Sequence, residues 1–309
     1  MQSGLCTQYP SPGSAKHNPQ PQLRVWRRER GAGDRQGEMM SLSYSLEHAK
    51  RWAAFSGDYN PIHFDVNEAK RLGVDGLCVH GMRALLDVKS ALSAAVEKHA
   101  SSLEGLVFSS RLREPVMCEI PYELPVKEVV RREQMQVSGN LVNFQTQKTS
   151  ISSKITGANS LTLSPAAQVN TLEGEELAVL YTQFLTHVGQ VAPLWIFLDA
   201  ILFRQLVNAP ATLETVHSII PEHKANSLRD VFSLVQVVQT HHDTHFSPRL
   251  LRQNESGQRF DAIDYAILPT LVMGNKHAGL VLVAGIQAWR VNEPLMSVTV
   301  TLKTGSLAG

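Results

Sequence analysis

Two side chains five positions apart, Asp58 and His63, stand in the segment SGDYNPIHFD, and fifteen positions beyond its end comes His80, followed by Gly81 and Met82. A carboxylate and an imidazole held together suit shared proton work on one small molecule: one group takes a proton while the other gives one. Gly81 opens an apolar run. A glycine at a helix start offers unpaired backbone N–H groups with the positive end of the helix dipole behind them, a cradle for an oxyanion or a thioester carbonyl. Acid, base and cradle thus fall within one short stretch of chain.

Positioning these groups requires a turn braced by helices. Gly57 permits a positive φ, Asn60 can close an Asx-type turn, and Pro61 forbids helix at Asn60, so the segment reads as an ordered turn across which Asp58 and His63 converge. Before it, Leu46 to Phe55 reads as a short amphipathic helix entered through Ser45. After it, Val66 to Leu72 reads as another, ended by Gly73. Gly81 to about Val96 is the longest apolar helix of the first half. Strand-like runs follow at Leu106 to Leu112, Tyr122 to Gln136 and Leu141 to Ile151, with a hairpin signal at Ser138, Gly139 and Asn140.

SGDYNPIHFD together with VHGM resembles the signature of MaoC-like dehydratases, the (R)-specific enoyl-CoA hydratase group with the hotdog fold, over roughly residues 40 to 155. The resemblance implies that Asp58 and His63 are a catalytic pair that activates water, that Asn60 shapes the loop, and that the Gly81 N–H meets the thioester carbonyl. It further implies reversible addition of water across the 2,3 double bond of an enoyl thioester of CoA or acyl carrier protein, with no metal or organic cofactor. Tyr59, Asn60, His80, Met82 and Arg83 flank the pair and are the candidates for substrate contact. One position departs from the pattern: small family members carry a serine nine residues after the VHGM histidine, where this chain has Lys89. Two other functions stay open, a hotdog acyl-CoA thioesterase and a non-catalytic acyl-thioester-binding module.

At 309 residues the chain is long for one hotdog, and two domains are expected. Residues 1–39, rich in Pro, Gly, Gln and Arg, read as a disordered extension, consistent with translation that starts near Met39 or Met40. Residues 40–155 read as the motif-bearing hotdog, 156–174 as a linker and 175–309 as a second hotdog-like domain without the motif. Laid beside GMRALLDVKSAL, the run APLWIFLDAILF aligns its LeuAsp pair, and strands follow in the same order at Val231 to Thr240, Phe260 to Val272, Leu280 to Ala288 and Met296 to Leu302. The fold class is therefore α+β: a double hotdog, each long helix wrapped by antiparallel sheet. Such a chain would act as a monomer or a homodimer, with its acyl tunnel at the interface of the halves. Trp195, Ile196 and Phe197 would line or support that tunnel, although a stripe of this kind is more often ordinary core.

Lys plus Arg number 29 against 28 Asp plus Glu, so no global field draws in nucleic acid or an acidic membrane surface. The most apolar run, Val191 to Phe203, contains Asp199 and reads as a buried helix, not a membrane span. Three scattered cysteines, Cys6, Cys78 and Cys118, fit a reducing cytoplasm, and Cys78 reads as a small buried hydrophobe. In HHDTHF, strand alternation places His241, Asp243 and His245 on one face. Without a fourth ligand the set is not assigned to a metal, and lining the tunnel mouth is its other reading. Arg83, Arg111 and Arg113 are the cations nearest in sequence for the phosphates of CoA, although each reads equally as a solvated surface charge.

Overall fold

The computed structural model describes residues 41–131, 134–188, 192–219, 236–252 and 259–307. The expected N-terminal extension, Cys6 and the start of the strand expected from Val231 lie outside the described residues. Helix α1 (Leu46–Ser56) ends at Gly57, whose φ of 81° lets its N–H reach back to the Ala53 carbonyl at 2.8 Å. A single 3-10 turn at Pro61–His63 leads to α2 (Val66–Arg71), capped by Asp65, which accepts from the Asn67 N–H at 2.7 Å. Strand β2 (Cys78–Val79) then delivers the chain to α3 (Gly81–Val96), and β2 pairs with β4 (Val116–Met117).

The first-half sheet is made by β1 (Ser41–Ser43), β3 (Gly105–Leu112), β5 (Pro121–Glu123), β6 (Val126–Arg131), β7 (Gln134–Asn143) and β8 (Thr149–Ala158). The expected hairpin at Ser138 to Asn140 is not there. Those residues run through the middle of β7, and the reversal comes after Asn143. Gly139 serves packing instead of turning: a Cβ there would stand 3.1 Å from Leu92 Cδ2, so the missing side chain lets the strand cross close over α3.

The remainder repeats this plan. After β9 (Asn170–Leu172) come α4 (Gly174–Val188), α5 (Leu194–Asn208) and α6 (Pro210–Ile219), then β10 (Val237–Phe246), β11 (Ile263–Asn275), β12 (Gly279–Arg290) and β13 (Glu293–Thr304). The helical stretch expected from Glu175 to Val207 is thus two helices with Pro193 between them, and α6 was not foreseen. Strand β10 continues through HHDTHF, while the turn between Asn275 and Gly279 is flanked by glycines in the left-handed region, with φ of 99° at Gly274 and 90° at Gly279.

The two halves share one sheet, ordered β1-β5-β7-β8-β3-β10-β13-β12-β11-β9, with β6 paired to β7. The seam is antiparallel and runs from His241 opposite Arg111 to Phe246 opposite Leu106. Helices α3 and α5 lie side by side against this sheet, each wrapped by its own half. This is a double hotdog. Trp52 and Trp195 are fully buried in a single core that joins the halves. No single helix among the described residues is long and apolar enough to cross a membrane.

Candidate active site

The loop between α1 and α2 converges as its residue types imply. The Asp58 N–H donates to Ser56 Oγ at 3.1 Å, the Asn60 N–H to Asp58 Oδ1 at 3.2 Å, and the Ile62 N–H to Asn60 Oδ1 at 3.3 Å. Three nested bonds fix the carboxylate and close the turn. Helix α5 braces the same loop from outside: Asn208 Nδ2 donates to the Ser56 carbonyl at 2.9 Å, and Arg204 donates to the Phe55 carbonyl. A Cβ on Gly57 would lie 2.7 Å from Asn208 Oδ1. The second half therefore holds the catalytic-type loop in place, a contact that the sequence does not signal.

His63 and His80 stack with ring centres 3.6 Å apart and planes 31° apart. Each ring is oriented by a backbone carbonyl. His63 Nδ1–H donates to the Cys78 carbonyl at 2.9 Å, and His80 Nε2–H donates to the Asp58 carbonyl at 2.8 Å. A carbonyl only accepts, so these bonds set both tautomers and leave His63 Nε2 and His80 Nδ1 with lone pairs in the neutral rings. Asp58, His63 and His80 each present one ligand-type atom, all within 4.8 Å of one another, a span that one water can bridge. By proximity alone the three could offer a metal its ligands.

Burial is the leading influence on every group here. It raises the Asp58 carboxyl above its ordinary range, with His63 opposing, and it lowers His63, with Asp58 opposing. His80 is held well below its ordinary value, and its Nδ1 meets no hydrogen-bond partner among the described residues. Cys78 is buried, and its thiol is pushed up to about 12, which keeps it protonated beside His63.

These groups stand in the wall of a cavity of about 380 Å³. Gly81 and Met82 line it at the start of α3, where a Cβ on Gly81 would fall 2.2 Å from Leu112 Cδ2. The rest is mostly hydrocarbon, and much of it comes from the second half: Phe203 and Leu206 of α5, Val216 and Ile219 of α6, Leu282 of β12 and Val300 of β13. The cavity is thus lined by both halves.

Of the sequence candidates, Asp58, Asn60, His63, His80, Gly81 and Met82 meet at this cavity. Tyr59 does not. It is 47% exposed and packs on Phe64. Arg83 is buried beneath Tyr44 and paired with Asp87 at 2.7 Å, away from the cavity lining, so it is not a surface cation for phosphates; Arg113 does reach the lining. Trp195, Ile196 and Phe197 are fully buried core, and it is Phe203, one to two turns on, that meets the cavity. His241, Asp243 and His245 share the outer face of β10 as alternation predicts, but they do not line the cavity and form no ligand cluster among the described residues.

Sequence reasoning missed what lies on the opposite face. Lys89 of α3 and Asp199 of α5, both with no exposure, form an ion pair across the halves. Asp199 Oδ1 also accepts from His242 Nε2–H at 2.8 Å and from Thr244 Oγ1 at 2.6 Å. Burial acts against the Asp199 charge, yet His242 and Lys89 together hold its carboxyl far below the usual carboxylate range. A lone charge within each of two apolar helices was the available signal, since two such charges of opposite sign stay buried only by meeting.

Residues 32–152 match the MaoC like domain. That segment is a MaoC-like domain, and the fold that carries it is a hotdog. No curated protein matches the chain. Among solved structures it is similar to a MaoC-like dehydratase, at 10% identity and a TM-score of 0.47, with 86% of this chain and 96% of that one covered. It is also similar to an acyl-CoA thioesterase II from Mycobacterium marinum, at 12% identity, 70% and 90% coverage and a TM-score of 0.39. An (R)-hydratase from A. caviae involved in PHA biosynthesis is similar over 38% of this chain and 91% of its own, at 17% identity and a TM-score of 0.30. The wrapped helices and shared sheet described above are what define the fold.

Proposed function

We propose that this protein is an enoyl-thioester hydratase of the (R)-specific type, acting reversibly on thioesters of CoA or acyl carrier protein. The observation that carries the reading is the meeting of Asp58 and His63 within one water's reach, at the wall of an apolar cavity that the Gly81 end of α3 also lines. His63, its Nδ1 proton committed to the Cys78 carbonyl, takes a proton from water at Nε2 while the water oxygen bonds to C3 of the enoyl group. The π electrons pass to the thioester oxygen, where the α3 N-terminus stabilises the enolate. Asp58 enters this step carrying a proton, the direction in which burial shifts its carboxyl, and delivers it to C2; transfer from His63 back to Asp58 resets the pair.

A thioesterase would use the same cavity, but water would attack the thioester carbonyl and free thiol would appear. Purified protein given a short enoyl-CoA is expected to consume the conjugated double bond with no release of thiol. Asp58→Asn and His63→Ala should each abolish that turnover and leave the fold intact. Wild-type-like rates in either variant, or stoichiometric thiol release, would reject the assignment.

A further inference from the structure

The buried ion pair does not end in the core. His242 Nε2 must carry a hydrogen, because its partner Asp199 Oδ1 belongs to a carboxylate that can only accept. In the neutral ring Nδ1 is then an acceptor, and burial, the leading influence on His242, favours that neutral form. Gln239 Nε2 stands 3.2 Å from Nδ1, 3.4 Å from the His241 carbonyl and 3.6 Å from Met82 Sδ. All three neighbours are acceptors. They fix which branch of the amide is the donor and leave Oε1, which meets no donor among the described residues, as the accepting end of a side chain that lines the cavity. Lys89 and His242 thus both donate to Asp199 and Gln239 donates to His242, a network of fixed orientation that joins the core of both halves to the cavity wall.

Its end faces the same cavity as the acid and base. Met82, which Gln239 touches, follows His80 and Gly81 directly, and Gln239 shares one cavity with Asp58 and His63. Around Gln239 the second half contributes mainly hydrocarbon, from Val237, Val238, Val300 and Leu302, with Thr240 beside it, so an amide held in one orientation is one of few groups there able to select a polar group on a ligand. The group that needs an acceptor is the O–H present after water has added and absent from an acyl chain that lacks it.

We propose that Gln239 is a specificity-determining residue that accepts a hydrogen bond from the hydroxyl at the reacting carbon, so that the site distinguishes a 3-hydroxyacyl thioester from its saturated counterpart. This rests on the hydratase reading above. The second half, although it lacks the acid-base motif, thereby supplies a residue to the site that the motif builds.

The test is a binding measurement in the Asp58→Asn background, where turnover is expected to be blocked, with an (R)-3-hydroxyacyl-CoA and the saturated acyl-CoA of equal length as probes. Gln239→Met, close in shape and without the amide, is expected to weaken the hydroxyacyl probe by roughly 3- to 10-fold, the loss of one hydrogen bond, and to leave the saturated probe within about 2-fold. Gln239→Asn keeps an amide but draws it back by one methylene, and it should lose the same preference. Equal effects on both probes, or a preference retained in both variants, would overturn the proposal while leaving the hydratase reading standing. Failure of the Asp58→Asn protein to bind either thioester would overturn both.

Discussion

Removing one member of the Lys89–Asp199 pair strands the other in a site with no exposure. In Asp199→Leu the Lys89 ammonium keeps only weak company, the faces of Phe108 and Trp195 at 5.3 and 5.6 Å, because His242 Nε2, 3.3 Å away, carries a hydrogen and cannot accept. A buried charge left without its partner costs about 3–5 kcal/mol, so this variant should lose that much stability. Lys89→Met is milder, because Asp199 still accepts from Thr244 and His242. The loss of one charge-assisted hydrogen bond, about 1.5–3 kcal/mol, is the expected cost. The distinctive outcome is the double variant. Lys89→Met added to Asp199→Leu removes the stranded charge and fills its space with hydrocarbon, and should raise stability by about 2 kcal/mol over Asp199→Leu alone. It should not restore wild type, because the Thr244 hydroxyl and the His242 Nε2–H remain without their acceptor. Urea unfolding of the four proteins closes the cycle. If the second substitution lowers stability further, the pair is not an isolated buried ion pair and the reasoning fails.

Acidification provides a second test. Burial holds His63, His80 and His242 below the ordinary imidazole value of 6.5, so the unfolded chain takes up protons there that the folded chain resists. Their contribution is therefore complete above pH 6.5 and declines as pH falls toward the folded values, by up to about 1.4 kcal/mol per pH unit for each histidine. A denaturation midpoint that stays flat between about pH 7 and 5 would contradict the buried, neutral assignment. Gly81→Ala sets a Cβ 2.2 Å from Leu112 Cδ2 and forces that side chain to shift against the cavity, so hydration should fall about 10- to 100-fold with little change in unfolding; unchanged kcat/KM would remove Gly81 from the site.

The parts of this molecule that the sequence announced are those with local causes. Helix α3 occupies Gly81–Val96 as expected, because periodicity and a glycine start specify it without outside help. The Asp58 loop follows from Gly57, Asn60 and Pro61 in the same way. What escaped notice depends on elements far apart in the chain. Gly139 looks like a turn former until α3 is laid beneath it, when Leu92 shows why a strand needs a glycine there. Arg83 looks like a cation for phosphate until Asp87, four residues on, is seen to take it. Strand alternation puts His241, Asp243 and His245 on one face as expected, whereas the role of His242 depends on a partner that lies on a distant helix. Only a map of helix against helix could join Lys89 to Asp199.

When two copies of one subunit meet about a twofold axis, every contact off that axis is made twice. With Leu198–Asp199 laid on Leu86–Asp87, Ile201 takes the position of Lys89, and the reciprocal pair is gone: Asp87 turns to Arg83 of its own helix. Covalent union of unlike halves has let the chain desolvate a cross-helix ion pair on one side only and leave an aliphatic residue on the other. A symmetric dimer has no means of making that economy, nor of keeping its acid and base on one flank while the opposite flank becomes the lining.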